Sequence, residues 1–148
     1  MQQLPHHYRV SASAPADGDV VLESPRLPTL LSAPPAEFGG PGDHWSPETL
    51  LLAALADCFI LTFRSVARAA KLPWLSLRCD VEGTLERVER ATRFTRFVLS
   101  ASLDVPEGTS PNDAQRALER AKGACLISSS LVGTTHLDAV VTVAGHPS

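Results

Sequence analysis

Two thiols in this 148-residue chain sit where a cysteine could do more than fill space. Cys58 lies inside AALADCFILTF, a stretch that is apolar almost throughout. Cys125 follows Gly123 in GACLISSSL. A thiol reacts as its thiolate, so its surroundings decide its chemistry: an apolar wall raises the pKa, and a nearby cation or helix N-terminus lowers it. Cys125 is placed to begin a helical turn, whose unsatisfied N–H groups would give it thiolate character. The plain alternative is that both are small hydrophobes in a core. They stand 67 positions apart, far from any local C-x-x-C spacing, so no metal site is expected. Cys79 alternates with Leu77 and Val81 on the apolar side of a strand and reads as core.

Other polar residues have simpler expectations. Glu48 falls in the first turn of a helix, where an acidic side chain stabilises the dipole by ~0.3–1 kcal/mol. His44, beside Trp45 in the loop before that helix, reads as a hydrogen bonder anchoring the loop. Asp57 should face another side of the helix from Cys58; beside a thiol it disfavours the thiolate unless it is itself paired.

The elements that must position these groups follow from patterning. Tyr8, Val10, Ala12 and Ala14 alternate with more polar neighbours, PADGD offers a turn and VVLES resumes, so residues 1–22 read as a hairpin. Five prolines and three glycines in residues 25–45 forbid a long helix and suggest an extended strand leading into a long ordered loop. Ser46 is an N-cap with Pro47 at the first helical position, and the helix should run to about residue 71, before Pro73. Between Leu50 and Phe63 it is apolar on nearly every face, which requires a sheet around it, a partner subunit, or both. WLSLRCDVEGTLERVE alternates, with Leu75, Leu77, Cys79, Val81 and Leu85 on one face. After a turn near residues 89–92, Phe97, Leu99, Ala101, Leu103 and Val105 do the same, so the two pair as a long antiparallel hairpin. Ser110-Pro111-Asn112-Asp113 opens a second helix that Gly123 ends or bends. A short turn and the strand HLDAVVTVA follow. The order predicts a single α+β domain over residues 1–148 with an antiparallel sheet.

Composition narrows the function classes. A net charge of −3 leaves no basic footprint for nucleic acid and no polybasic membrane patch. The start of the chain lacks the apolar region of a signal peptide, and Asp57 and Arg64 interrupt the longest apolar stretch, so no membrane span is expected. Three cysteines, an odd number, suit a reducing cytoplasm, where a disulfide is catalytic or transient rather than structural.

SPETLLLAALADCF preceded by EFGGPGDHW, together with ACLISSSL further on, resembles the OsmC/Ohr superfamily, the osmotically induced and organic hydroperoxide resistance thiol peroxidases. The resemblance covers about residues 25–145. It implies an intertwined α+β homodimer with a long central helix buried against curved antiparallel sheets. It further implies that Cys58 is peroxidatic, becoming a sulfenic acid on attack at an organic hydroperoxide, and that Cys125 resolves it as a disulfide. A dithiol reductant, lipoyl-type or thioredoxin-like, would reopen that bond. No cofactor is implied. Leu55, Phe59, Phe63 and His44 are the expected substrate-binding residues. In the organic hydroperoxide branch an arginine near the N-terminus stabilises the thiolate and a glutamate ten residues before the cysteine holds it. Glu48 matches the glutamate. The arginine has no clear match: PADGDVV places Asp19 there, Arg9 and Arg26 are candidates by elimination only, and Arg64 lies about one and a half turns beyond Cys58 on the same helix. On one continuous helix Glu48 and Cys58 are ~15 Å apart along the axis, so a shared site needs a long arginine, a later helix start or the partner subunit. The other reading is a binding or redox-sensing protein on the same scaffold, with an apolar pocket for a small ligand.

Overall fold

Strands β1 (Ser11–Ser13), β2 (Val20–Glu23) and β3 (Leu30–Ser32) form an antiparallel meander in a computed structural model that describes residues 2–145. Gly18, at φ 112°, makes the first turn, a conformation glycine reaches without strain. The expected hairpin is therefore present, and the proline-rich segment adds a third strand. Beyond it, a 3-10 turn at Ala36–Phe38 leads into the glycine-rich loop. Gly40 has no alternative there, because a Cβ would sit 1.6 Å from the carbonyl oxygen of Pro34. The loop returns to the meander, where Ala33 N–H donates to the Trp45 carbonyl at 2.9 Å.

Helix α1 (Pro47–Ala70) starts at a closed cap. The Ser46 hydroxyl accepts from Thr49 N–H at 3.2 Å, and Ser46 N–H donates to the Thr49 hydroxyl at 2.9 Å, so Thr49 performs the reciprocal half of a capping box. It ends one residue earlier than expected. Lys71 adopts φ 54° and Leu72 N–H reaches back to the Ala67 carbonyl at 2.9 Å, the left-handed closure that stops a helix.

The chain divides into two compact units, one ending at Leu51 and one beginning at Leu52. The second is a sheet of β4 (Ser76–Val88), β5 (Ala91–Val105) and β6 (Thr134–Val143), with β5 in the middle, crossed over by α2 (Pro111–Ala124) and α3 (Leu126–Ser129). The β4–β5 hairpin turns at Glu89 and Arg90 alone, both at positive φ, a tighter turn than residues 89–92. An irregularity in register lies between Thr84 and Leu85. β6 corrects the antiparallel expectation, since it runs parallel to β5 from Arg96↔Thr134 to Val105↔Val143. The helical connection makes this possible, because a parallel neighbour needs a long crossover. Gly123 does not end α2; the helix continues to Ala124.

The core of this unit joins the alternating face of β5 (Phe97, Leu99, Ala101, Leu103, Val105), the α2 stripe Ala114–Ala117–Leu118–Ala121 and the α1 stripe Leu55–Phe59–Phe63–Ala67. Burial of α1 is confined to that stripe, and Leu61, 51 % exposed, and Ala54 face outward in the single chain. By length and composition α1 could also cross a bilayer, but its four-residue stripe is engaged with protein. Phe63 is fully buried and meets the Trp74 ring edge-on at 5.3 Å. Phe63→Ala is expected to cost ~3–5 kcal/mol through cavity formation and loss of the aromatic pair, read as a drop in urea midpoint with tryptophan fluorescence. A change below ~1 kcal/mol would show that this end of the core is not closely packed.

Candidate functional site

Cys58 projects from the middle of α1 toward the junction of α2 and α3. Cys125 is that junction: it is the C-cap of α2 and the N-cap of α3. Its extended backbone (φ −67°, ψ 115°) turns the chain so that the first amides of α3 face Cys58. The serines that follow hold the turn, since the Ser128 and Ser129 hydroxyls donate to the Cys125 carbonyl at 3.0 and 2.9 Å. One turn along α1, the Thr62 hydroxyl stands 3.8 Å from Cys58 Sγ.

These neighbours decide the charge on Cys58. Burial acts to raise its pKa, but hydrogen bonds from Ile127 N–H, the Cys125 thiol, the Thr62 hydroxyl and Leu126 N–H outweigh it. The thiol is held below its ordinary value. Cys125 moves the other way: burial pushes it up and the adjoining Cys58 adds to this, against the lowering by Ser128. The expectation that the helix N-terminus would ionise Cys125 is thus corrected. The amides of α3 serve the thiol across from them, while Cys125 itself is 1 % exposed. Cys79, half-buried between Leu77 and Val81, is pushed by burial up to about 11, with Asp80 and Cys125 contributing. All three cysteines are free thiols.

The surface around Cys58 is a concavity of about 470 Å³ walled mainly by Ala54, Leu61, Leu126 and Ile127, with Asp57 and Thr62 as polar lining. Asp57 therefore shares the thiol's side of the helix. Leu55, Phe59 and Phe63 do not line it, because each is fully buried in the core. The apolar character expected of the pocket is present, but it is carried by other residues. Thr62 escaped notice although its position, four after Cys58, puts it on the same helix face. The amides of Leu126 and Ile127 had one sequence signal, the placement of Cys125 at a helix start.

His44 and Glu48 belong to the first unit. His44 Nε2 is 3.2 Å from Asp19 Oδ2 and Nδ1 is 2.6 Å from Asp43 Oδ1. The hydrogen bond to Asp43 and the Asp19 charge raise its pKa. His44 is the loop anchor that its position suggested, tying the glycine-rich loop to the β1–β2 turn. That tie is complete below the ordinary imidazole pKa and weakens as pH rises through the raised one. A proton NMR titration of the His44 ring should show a midpoint above that of an Asp19→Asn variant. Glu48 borders a second concavity, about 530 Å³, with Val20, Leu22, Pro34, Phe38 and Leu50; its Oε2 is buried without a partner. Among the described residues neither Glu48 nor Arg9, Arg26 or Arg64 takes part in an ion pair. Nor do three or more His, Cys, Asp or Glu side chains among them gather as metal ligands.

The role of the α3 amides can be checked without touching a side chain that packs. Leu126 is the first residue of α3, where proline fits a helix but has no N–H to give. Leu126→Pro should move the midpoint of Cys58 alkylation upward in pH, and Thr62→Val should move it in the same direction. In the unaltered protein iodoacetamide should label Cys58 before Cys125, and Cys79 only toward pH 11. An unchanged Cys58 midpoint in Leu126→Pro would exclude the Leu126 amide and leave the Ile127 N–H as the backbone donor.

A protein-family model described as OsmC-like protein matches residues 40–139. An uncharacterized protein of Bacillus subtilis, YmaD, is 27 % identical over 143 residues, covering 93 % of this chain and 95 % of its own. Among solved structures, an OsmC-like protein of unknown function from Vibrio cholerae superposes with a TM-score of 0.84 at 16 % identity, covering 92 % of this chain and all of its own. An organic hydroperoxide resistance protein from Legionella pneumophila does so with a TM-score of 0.74 at 25 % identity, covering 95 % and 100 %.

Proposed function

Because the chain belongs to the OsmC-like protein family, we propose that it is a thiol-dependent peroxidase that reduces organic hydroperoxides in a reducing, cytoplasmic setting. The observation that carries this reading is the opposed tuning of two adjacent thiols, Cys58 held low and Cys125 held high. The Cys58 thiolate attacks the terminal oxygen of a hydroperoxide, the O–O bond breaks, and the alcohol leaves once its alkoxide is protonated. Cys58 is left as a sulfenic acid. The Cys125 thiol then condenses with it, releasing water and forming the disulfide, and a dithiol of lipoyl or thioredoxin type reduces that bond by exchange. A raised pKa suits Cys125 to this order, since a protonated thiol does not compete for the peroxide.

Ala54, Leu61, Leu126 and Ile127 supply an apolar surface beside the reacting sulfur, which favours an alkyl tail over hydrogen peroxide. In this reading the work given to an arginine in the organic hydroperoxide branch falls to the α3 amides and Thr62. Glu48, which forms no ion pair among the described residues, has no arginine to position in this reading. The outward apolar face of α1 supports association of two copies as the intertwined homodimer, measurable by light scattering. A second reading, binding of a small apolar ligand, draws on the Glu48-bordered concavity of the first unit, and would be seen as displacement of an environment-sensitive dye there.

Consumption of cumene hydroperoxide with dihydrolipoamide tests the enzyme. Cys58→Ser should fall to the buffer rate. Cys125→Ser should complete about one turnover and accumulate a trappable sulfenate without cycling. Equal rates for the unaltered protein and Cys58→Ser would rule the peroxidase out.

A further inference from the structure

A third concavity, about 490 Å³, lies in the second unit between the C-terminal end of α1 and the start of α2, and no residue of the thiol site lines it. Its wall carries Lys71, Arg116 and Arg120 against a single carboxylate, Asp113, in a chain whose net charge is −3. Arg116 Nη2 is 3.5 Å from Asp113 Oδ1, whereas Lys71 and Arg120 take part in no ion pair among the described residues.

Thr109 lines the same concavity. It is only 8 % exposed, and its hydroxyl is buried with no hydrogen-bond partner. An unsatisfied buried hydroxyl is a cost that folding alone does not explain. The start of α2, a helix of 14 residues, adds the positive end of its dipole. Ser110 caps it, its hydroxyl accepting from Asp113 N–H at 3.3 Å. At the facing end of α1 the carbonyls of Ala67 and Arg68 are already bonded to Leu72 and Lys71 N–H, which blunts their repulsion of an anion.

We propose that this concavity binds a small phosphate-bearing molecule. A phosphate monoester is close to a dianion at neutral pH, which matches three cations offset by one carboxylate. Arg120 and Lys71 are free to pair with its oxygens, and the Thr109 hydroxyl, closed off as the side chain stands, gains the acceptor it lacks by rotating toward them. The volume leaves room for an organic body beyond the phosphoryl group.

The test is a titration of the 148-residue protein with inorganic phosphate and glycerol 3-phosphate, with chloride and succinate at matched ionic strength and phosphatidic acid vesicles as controls. Backbone NMR shifts at residues 109–113 and the melting temperature are the readouts. Both phosphate probes should shift these amides saturably and raise the melting temperature. Arg120→Gln, at an exposed position, should bind about tenfold more weakly with its fold intact. Thr109→Val should melt no lower than the unaltered protein without ligand, yet lose about tenfold in affinity. Cys58 alkylation should be unchanged in both variants. Shifts that chloride reproduces, succinate binding as tightly as glycerol 3-phosphate, binding only to phosphatidic acid vesicles, or unaltered binding in Thr109→Val would each overturn the proposal.

Discussion

A thiolate set in an apolar wall needs polar groups to replace the water it has lost, and at Cys58 the replacement is largely backbone. Ile127 and Leu126 N–H groups, with the Cys125 thiol and the Thr62 hydroxyl, offset the burial that would otherwise raise the thiol's pKa. The remaining features of the site follow from this need. The α2–α3 junction must turn at Cys125 to aim those amides, the serines after it must brace the turn, and α2 must be held by its small-residue stripe against the core. Fixed backbone dipoles suit the task because they are oriented in advance and carry no net charge to be desolvated.

Much of the scaffold could be read from residue patterns, and the failures have physical causes. β5 alternates so strictly that its buried face, from Phe97 to Val105, follows from hydropathy alone. The cap at Ser46 and the stop at Lys71 follow from residue type and proline placement. The direction of β6 does not, because a strand's own pattern is the same whether its neighbour runs parallel or antiparallel. Hydropathy does not rank the apolar faces of α1. A helix apolar on most faces still commits only one stripe to its own chain, here Leu55–Phe59–Phe63–Ala67. That choice moved Leu55, Phe59 and Phe63 into the core and gave the wall beside Cys58 to Leu61, Leu126 and Ile127. The activating groups were hardest to see, since an N–H belongs to every residue but proline and only the turn at Cys125 makes two of them converge.

In the first unit the same loop illustrates both kinds of legibility. Gly40 is required by the Pro34 carbonyl, a constraint visible only in three dimensions. His44 is recognisable as an anchor from its position, and its two aspartate partners are its chain neighbour Asp43 and the distant Asp19 of the β1–β2 turn. The absence of an arginine in the stretch that holds Asp19 is equally visible, and Glu48 Oε2 is buried without a hydrogen-bond partner.

Cys125 occupies a joint, and this gives oxidation a mechanical side. A disulfide to Cys58 would remove the thiol whose ionised form the first turn of α3 favours, and would pull on the one residue shared by two helices. The turn that favours the reduced, charged thiol would then have lost its counterpart, and reduction would restore it. In the proposed cycle, redox state and the geometry of the α2–α3 joint would be coupled through one residue.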